Sequence, residues 1–363
     1  MAAPQSTPAD EPVVIRTDCS PQMGVGHLLR SLALAEELQH RGHRVHLLGS
    51  TGGLDWAAGQ VAARGLTMTP AADLAGGPAA LVDQVSRLGA AGIDLDGYHL
   101  SADLGAALRA AGVPVMTMVD DTFGLHQHAD LYVDQNLDAV VADRLPVPGA
   151  RMLAGLDHVV LRDQVLDRRG LVPDQALDHG GDRTPRLLVV FGGTDAYGGA
   201  EVVIGLLREL ARPVRVVAVV SRSEVADRLA GLPPVPGVEL ELHPVVDDLP
   251  GLAVGCDAAV SAAGSSVWEL LCLGIPTGVV CVVDNQLAGY RRTTDTGVAV
   301  AIGELDRLRD DPVAREEARG ELAVLLGDRP RRRQLQQAGR RLVDGRGRRR
   351  VVDAFTGLFA GRS

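Results

Sequence analysis

The segment before the first long periodic helix carries the residues best suited to general base chemistry. Gly24 and Gly26 precede His27, and the apolar periodicity predicts a helix over 27–40. The glycines permit a tight turn and the close approach of a ligand to the backbone. His27 falls at the helix N-terminus, where the helix dipole disfavours a positive imidazolium. A neutral imidazole suits a general base near neutral pH, although this segment alone leaves open that His27 only caps or packs the helix.

Phosphate groups can be held in this chain only by arginine, backbone N–H groups or hydroxyls. All 36 of its lysine-or-arginine positions are arginine, which excludes a P-loop lysine, a Schiff-base lysine and a kinase-type lysine. The strongest candidate for a phosphate-binding segment lies where a predicted strand ends at Gly264. Ser265 and Ser266 follow and begin a predicted helix. Free N–H groups at a helix start, together with hydroxyls, form an anion site. Glu269, one turn along, could reach ribose hydroxyls; the alternative is that Ser265 simply caps the helix.

Two further turns, each after a predicted strand of the second half, have residues that could contact a ligand. Gly192, Gly193 and Thr194 follow a strongly apolar strand, either to contact a ligand through the backbone or simply to form a tight loop. Asn285 and Gln286 follow a later strand and put carboxamides at the same rim. Because ligands of open α/β sheets bind beyond the carboxyl ends of the strands, we expect these turns to face one ligand.

The first half adds a tyrosine and two carboxylates. Tyr98 closes a predicted strand, where its hydroxyl could orient a sugar or its ring could pack at a domain edge. Asp120 and Asp121 close the next strand, where they could contact a hydroxyl-rich ligand or cap a turn. They do not complete a metal site because no accompanying ligand spacing is present, and we expect neither metal nor cofactor. Arg30 stands where a dinucleotide fingerprint needs a small residue, which argues against a nicotinamide oxidoreductase.

The elements that must position these residues are strands alternating with helices. This alternation predicts parallel sheets covered by helices, and it weakens over 137–184, where prolines accumulate. Two Rossmann-like halves joined by a linker are typical of the α/β GT-B architecture, with its ligand in the interdomain cleft. The predicted strands are 13–17, 44–49, 66–69, 93–98, 115–119, 131–133, 186–191, 214–220, 238–242, 258–262, 277–283 and 298–302. The predicted plan is a disordered lead-in (1–12), an N-terminal domain (13–150), a linker (151–184), a C-terminal nucleotide-binding domain (185–345) and a C-terminal helix (346–363).

The composition of the chain limits the classes of partner that we expect it to bind. The net charge of −10 and the pI near 5.5 argue against nucleic-acid binding. The arginine cluster at 329–350 is interpreted as the solvated face of amphipathic helices rather than a patch for an anionic ligand. The lead-in lacks the pattern of a signal peptide, and no apolar run reaches the roughly 18 residues of a membrane span. We therefore expect a cytoplasmic protein without stable membrane association, and four buried thiols because the cysteines lack CxxC spacing.

The order and spacing of these motifs resemble a known enzyme family, the UDP-2,4-diacetamido-2,4,6-trideoxy-β-L-altropyranose hydrolases of pseudaminic acid biosynthesis. Those enzymes and the related spore-coat polysaccharide proteins share a GT-B fold with MurG-type glycosyltransferases. The resemblance runs nearly end to end. It is carried by Arg16, Asp18, Gly24, Gly26, His27, Arg30, Asp96, Gly97, Tyr98, Asp120, Asp121, Phe191–Asp195, Gly264–Glu269, Asn285 and Gln286, with the segments 153–162 and 342–352.

The resemblance implies roles for particular residues. His27 would be the general base that activates water, with Tyr98 and Asn285 orienting the sugar or the water. The turn from Gly264 to Ser266 would hold the diphosphate and Glu269 the ribose. The implied reaction is metal-independent hydrolysis at the anomeric carbon, which releases UDP and the free sugar with inversion. The remaining residues predicted to contact substrate are Asp18, Gly26, Arg30, Asp121, Gly192, Gly193, Thr194 and Gln286.

Three functions are carried forward from the sequence. The main hypothesis is a UDP-sugar hydrolase of an amino-sugar, deoxysugar or nonulosonic-acid pathway, with a small-molecule UDP-sugar as its partner. The alternative is a GT-B glycosyltransferase with a nucleotide-sugar donor, which would need an acceptor for turnover. Residues 50–92 lack the aromatic cluster expected for a lipid acceptor. A non-catalytic nucleotide-sugar binder is the third hypothesis, and the presence of His27, Tyr98 and Asn285 argues against it.

Overall fold

The computed structural model describes residues 11–120, 123–137, 139–172, 183–193 and 195–360. These residues form two compact units. Unit 1 takes in the chain up to Asp163 and again from Arg346 onward, and unit 2 runs from Gln164 to Gly345. The predicted lead-in lies almost entirely outside the described residues, as do Asp121 and Thr194.

Unit 1 is a parallel sheet with helices on both faces. Its central strands are short runs rich in Val, Ile and Leu that are buried on both sides, as parallel sheets require. The strand order is β3-β2-β1-β4-β5-β6-β7. The strands are β1 (Val13–Asp18), β2 (Val45–Ser50), β3 (Met68–Thr69), β4 (Gly92–Asp96), β5 (Val115–Val119), β6 (Leu131–Asp134) and β7 (Arg151–Ala154). The helices are α1 (Gly26–His40), α2 (Asp55–Ala62), α3 (Asp73–Leu88), α4 (Asp103–Ala110) and α14 (Gly347–Thr356).

Among the described residues of unit 1, a hydrophobic core lies on each face of the sheet. Leucines of α1 pack with Val351, Val352 and Phe355 of α14 on one face. Leu81 and Val85 of α3 pack with residues of α4 on the other face. The last helix of the chain therefore completes the core of the first unit.

Unit 2 repeats the plan with strand order β10-β9-β8-β11-β12-β13, again all parallel. Its main core lies between the sheet and α6, α7, α11 and α12, whereas α9 packs against α13. The strands are β8 (Arg186–Val190), β9 (Val214–Val219), β10 (Val238–His243), β11 (Ala258–Ala262), β12 (Thr277–Cys281) and β13 (Val300–Glu304). The helices are α6 (Gly199–Leu210), α7 (Ser223–Ala230), α8 (Leu249–Ala253), α9 (Ser266–Leu273), α10 (Leu287–Asp295), α11 (Leu305–Asp310), α12 (Pro312–Gly327) and α13 (Arg329–Leu342).

The predicted linker differs from the structure. Residues 151–154 form β7, which pairs with β6 and closes the edge of the unit 1 sheet. A 3-10 helix (Leu156–His158) and the short α5 (Asp163–Leu166) follow. The strand reads Arg-Met-Leu-Ala, without the β-branched run that identified the others. Tertiary pairing, rather than local propensity, makes it a strand.

The interpretation of the arginine cluster as a solvated face is wrong for three of its members. Arg332 is buried and donates to the carbonyls of residues 325 and 326, which end α12. Arg340 donates to the backbone oxygens of residues 172 and 273. Arg348 is buried among carboxylates of unit 1. These guanidiniums satisfy backbone and carboxylate acceptors, which helical periodicity does not reveal.

The four cysteines are free and buried, which confirms the expectation of isolated thiols. Burial raises the pKa of the Cys256 thiol to about 11, so this group stays protonated at neutral pH. In the described residues, no helix combines the length and the apolar character needed to cross a bilayer.

Candidate functional site

In unit 1 the chemistry-bearing residues gather where β1 and β4 lie side by side. The chain leaves β1 toward β2 on one side, and β4 leads to β5 on the other, so the strand order reverses between them. Such a reversal opens a crevice at the carboxyl ends of the two strands. Thr17 of β1 pairs with Asp96 of β4, which brings the turns after both strands to the same edge.

A buried histidine–aspartate pair forms the centre of this edge. His27 is the second residue of α1, and its Nδ1 lies 2.7 Å from Asp96 Oδ1 at the end of β4. With Asp96 ionised, Nδ1–H donates to the carboxylate and the lone pair resides on Nε2. Arg30 Nη2 also lies 2.9 Å from Nδ1, and among the described residues no hydrogen bond engages Nε2. The predicted position of His27 at the helix start is confirmed, and the carboxylate that orients it is an addition to the sequence argument.

Arg30 completes the arrangement from the next turn of α1. Its Nε and Nη2 donate to the two oxygens of Asp96 at 2.6 and 2.5 Å. Burial opposes ionisation of Asp96, but Arg30 and His27 outweigh it and hold the pKa of this carboxyl well below its usual range. Arg30 thus keeps Asp96 charged, and Asp96 keeps the imidazole in one tautomer and one orientation.

Asp94, two residues earlier on the same strand, has the opposite charge state. It is fully buried, and neither of its oxygens has a hydrogen-bond partner among the described residues. Burial and the nearby charge of Asp96 raise its pKa well above the ordinary value. Asp94 is therefore protonated and neutral, whereas Asp96, two residues later on β4, is ionised.

Tyr98 lies in the loop after β4, not in the strand as predicted, because β4 ends at Asp96. Its ring meets His27 edge to face with centroids 4.6 Å apart, and its hydroxyl donates to Asp120 Oδ2 at 2.6 Å. Its side chain is half exposed. Burial and the Asp120 carboxylate keep the pKa of Tyr98 above its usual value, so the hydroxyl stays a donor. Arg30 Nη1 lies 3.7 Å from Asp120 Oδ2. Asp120 therefore links Tyr98 to the His27–Asp96 pair through Arg30.

A second histidine–aspartate pair lies beside the first. Asp18, the last residue of β1, bonds both His99 Nε2 at 2.7 Å and the fully buried Arg16. Arg16 also donates to Asp73 at 2.9 Å. Burial raises the pKa of Asp18, but His99 and Arg16 lower it further than burial raises it. Asp18 was predicted to contact substrate, whereas the role of His99 was missed because only the fold joins it to β1.

In unit 2 the strand order reverses between β8 and β11. The chain continues from β8 to β9 and from β11 to β12, in opposite directions across the sheet. Gly192 and Gly193 follow β8, and Gly192 has a φ of +68°, which glycine adopts without strain. Asp195 accepts the N–H groups of Gly199 and Ala200 at 2.8 and 3.2 Å. This carboxylate caps α6, a role the sequence argument missed.

The turn between β11 and α9 stands next to it, because Ser261 of β11 pairs with Val190 of β8. Ser265 is the N-cap residue of α9, yet its side chain makes no capping hydrogen bond. The alternative in which Ser265 simply caps the helix is thus not observed. Gly264 has room around it: a side-chain carbon built there would come no nearer than 3.7 Å, to Nε2 of Gln286.

Of the remaining predicted residues, Asn285, Gln286 and Glu269 belong to unit 2 and Gly26 to unit 1. Asn285 and Gln286 end a 3-10 helix (Asp284–Gln286) after β12, and Gln286 Oε1 accepts the N–H of Val282 at 3.2 Å. Glu269 lies in the first turn of α9. Gly26 is the first residue of α1. Together the turns after β8, β11 and β12 form one edge, as expected from the carboxyl ends of neighbouring parallel strands.

Comparison with known proteins identifies the fold of this chain. No family model matches the chain. It is similar to MurG from Acinetobacter baumannii, with TM-score 0.68, 16% identity, and coverage of 95% of this chain and 99% of that one. It is also similar to the spinosyn rhamnosyltransferase SpnG complexed with thymidine diphosphate, with TM-score 0.55, 16% identity, and coverage of 92% and 95%. The chain therefore has the GT-B fold.

One curated relative matches in sequence. The spore coat polysaccharide biosynthesis protein SpsG of Bacillus subtilis (strain 168) is 32% identical over 113 residues. This match covers 31% of the chain and spans about a third of the length of that relative, 32%. It supports the resemblance to spore-coat polysaccharide proteins over that stretch.

Proposed function

We propose that this protein is an enzyme that uses a nucleoside-diphosphate sugar and transfers the sugar to an acceptor hydroxyl. The observation that carries the proposal is the His27–Asp96–Arg30 arrangement at the carboxyl edge of the unit 1 sheet. An oriented imidazole whose Nε2 is available is the group required to deprotonate a hydroxyl nucleophile.

The chemistry follows from these groups. Nε2 of His27 takes the proton of the nucleophile as its oxygen forms a bond to the anomeric carbon. The bond from that carbon to the phosphate oxygen breaks, and the nucleoside diphosphate leaves with the electron pair. Asp96 stabilises the imidazolium that forms. The turn from Gly264 to Ser266 at the start of α9 supplies backbone N–H groups and hydroxyls for the diphosphate, without any lysine.

Transfer is better supported than hydrolysis by the comparisons. One similar structure is named as a rhamnosyltransferase complexed with thymidine diphosphate, and the curated relative is named for polysaccharide biosynthesis. The alternative of the sequence analysis is thereby preferred over its main hypothesis. Hydrolysis is the second candidate. The resemblance assigns water activation to His27 and the orientation of the sugar or the water to Tyr98 and Asn285, and the rings of His27 and Tyr98 are in contact at 4.6 Å.

The deciding experiment measures release of nucleoside diphosphate from a panel of UDP- and TDP-sugars in ¹⁸O-labelled water, with and without candidate acceptors. Transfer predicts negligible turnover until an acceptor is added. Hydrolysis predicts turnover without acceptor and label in the sugar. Label in the nucleotide would overturn both roles for His27, because the attack would then be at phosphorus.

Replacing the base tests the mechanism itself. His27→Ala should lower kcat by about 10²- to 10⁴-fold, the usual contribution of a general base, because no other described group occupies its place. The matched control is His40→Ala, at the exposed end of the same helix, which should retain full activity. Activity retained in His27→Ala would refute the proposed mechanism.

A further inference from the structure

Unit 2 has two adjoining cavities along the outer face of α6. Both are open to solvent, with volumes of about 480 Å³ and 460 Å³. Both are lined by Glu201 and Gly205, residues one turn apart on α6. The two cavities therefore form one groove, called here the α6 groove, and Gly205 lies at the point where they meet.

The first cavity is lined by three arginines from three different elements. Arg222 follows β9, Arg309 lies on α11 and Arg315 on α12. Arg309 donates to the carbonyl of Tyr197 and to Asp306, and Arg315 is engaged by the carbonyl of residue 308 and by Glu209. Glu201 offsets part of this positive charge, and it pairs with Arg228.

Arg222 differs from the other two. Its Nε is buried and has no hydrogen-bond partner among the described residues. Burying a guanidinium N–H without an acceptor is unfavourable, and this cost is recovered when an acceptor reaches it. A carboxylate or phosphate oxygen is the acceptor that a guanidinium fork fits best.

The second cavity is largely apolar at its far end. Leu229, Leu232 and Val235 line that end, from α7 and the segment that follows, while Arg208 and Glu209 of α6 line the rest of the cavity. Leu232 is 39% exposed, so the groove presents aliphatic surface to solvent at one end and arginines at the other. Gly205 leaves the floor between them open, because a side-chain carbon built there would meet no atom within 4 Å.

The α6 groove begins beside the edge proposed to bind the nucleotide and extends away from it. That edge lies where the strand order reverses between β8 and β11, and it uses the turns after β8, β11 and β12. Ala196, Tyr197 and Gly198 of the turn after β8 line the first cavity. The residues that line the second cavity belong to α6, α7 and the segment after α7, so a ligand that fills both cavities extends beyond the turn after β8.

We propose that the α6 groove binds an organic anion with an aliphatic portion. Its phosphate or carboxylate group accepts hydrogen bonds from Arg222 beside Arg309 and Arg315. Its aliphatic portion lies across Gly205 and covers Leu229, Leu232 and Val235. A free inorganic anion satisfies only the first cavity, so the aliphatic portion is what distinguishes this ligand.

The test is isothermal titration of the full-length protein with octyl phosphate, below its micelle concentration, and with inorganic phosphate. Octyl phosphate should bind at least about tenfold more tightly than inorganic phosphate, since the aliphatic contact adds to the ionic one. Arg222→Met should weaken octyl phosphate about tenfold or more by removing a charge-assisted hydrogen bond. Gly205→Leu should weaken it similarly by filling the floor of the groove.

Matched variants control for general effects. Arg215→Gln removes an exposed arginine of β9 that pairs with Glu239, and Gly320→Leu fills open space on α12 outside the groove. Both should bind octyl phosphate as the wild type does. All four variants should melt no lower than the wild type, since leucine has a higher helix propensity than glycine, and should keep its UDP affinity. Absence of octyl phosphate binding overturns the proposal. So does equal loss in the control variants, or inorganic phosphate binding as tightly with no effect of Gly205→Leu.

Discussion

Asp94 and Asp96, two aspartates of β4 near His27, have different charge states. Asp96 is ionised because Arg30 donates to both of its oxygens. Asp94 stays neutral because it is buried and faces the charge of Asp96. The ionised carboxylate accepts a hydrogen bond from the imidazole N–H and stabilises a positive ring, so the orienting role belongs to Asp96.

Substitution of these aspartates by asparagine should have opposite effects on stability. Asp96→Asn leaves Arg30 buried without its counter-charge, and we expect a loss of about 3–5 kcal/mol in the free energy of unfolding. Asp94→Asn replaces a neutral acid by a neutral amide of the same shape and should stabilise the protein at pH 7. Urea unfolding of the two variants, followed by a probe in unit 1, measures both effects.

The benefit of Asp94→Asn should depend on pH. In the unfolded chain Asp94 releases its proton near its ordinary pKa of 3.8, whereas in the folded protein it holds the proton to higher pH. The unfolded state then binds fewer protons, so wild-type stability falls as pH rises above 3.8 toward the folded pKa. The variant lacks this loss, and its advantage should vanish at pH 3.5 and grow toward neutrality. A constant advantage at all pH values would contradict the neutral state of Asp94.

The residues of this site could be predicted from the sequence only in part. His27 and Tyr98 stood out because they follow predicted strand ends. The partnership of His27 with Asp96 joins residues 69 positions apart, and that of Asp18 with His99 joins residues 81 apart. Side-chain pairing at such distances depends on which strands become neighbours, and a local pattern does not report that order.

At the scale of helices, α9 and α13 begin in different ways. Asp328 caps α13 by accepting the N–H of Arg331 at 2.8 Å. Ser265 begins α9 without any such bond. The N–H of Trp268 donates to the carbonyl of Ser265 at 3.1 Å, but the Ser265 hydroxyl makes no capping bond and can donate to an anion at the helix start, which agrees with the proposed diphosphate site.

Alanine substitution at these two positions separates capping from ligand binding. Asp328→Ala should cost about 1 kcal/mol of stability, the usual value of a lost N-cap, and leave UDP affinity unchanged. Ser265→Ala should leave stability unchanged and weaken UDP about five- to tenfold through one lost hydrogen bond. Thermal unfolding and UDP titration of both variants provide the measurements. Destabilisation by Ser265→Ala would instead identify this serine as a cap.

Strands were predicted best where a short run of small or apolar residues is buried within a sheet, and worst where pairing alone makes the strand. The bounds of β5 and β11 match the predicted ranges 115–119 and 258–262. β7 was placed in a linker because the periodicity weakens over 137–184 and prolines accumulate there. Its four residues carry little β preference, and in the structure they are exposed or only partly buried. Its strand conformation comes from pairing with β6.

At the scale of the whole molecule, the chain crosses from unit 2 back into unit 1 at its C-terminal segment. Arg348 of α14 is buried and pairs with Glu36 of α1 and with Asp163. Gly347 approaches so closely that a side-chain carbon there would lie 2.2 Å from the carbonyl oxygen of Val159. Unit 1 therefore depends for its core on residues translated after the whole of unit 2.

Truncation after Gly345 should unfold unit 1 and spare unit 2. The truncation removes Val351, Val352 and Phe355 from the unit 1 core, and burying such side chains contributes about 1.5–3 kcal/mol each. It also leaves Glu36 and Glu37 buried without Arg348. Unit 2 keeps every strand of its own sheet.

Calorimetry of the truncated chain should show one transition where the full chain shows the transitions of both units, and hydrogen exchange should show protection confined to 164–345. The point variant Arg348→Met should lower the unit 1 transition alone, because it breaks the same buried ion pairs while leaving the core residues in place. Protection retained in β1 and β4 of the truncated chain would mean that unit 1 folds without α14.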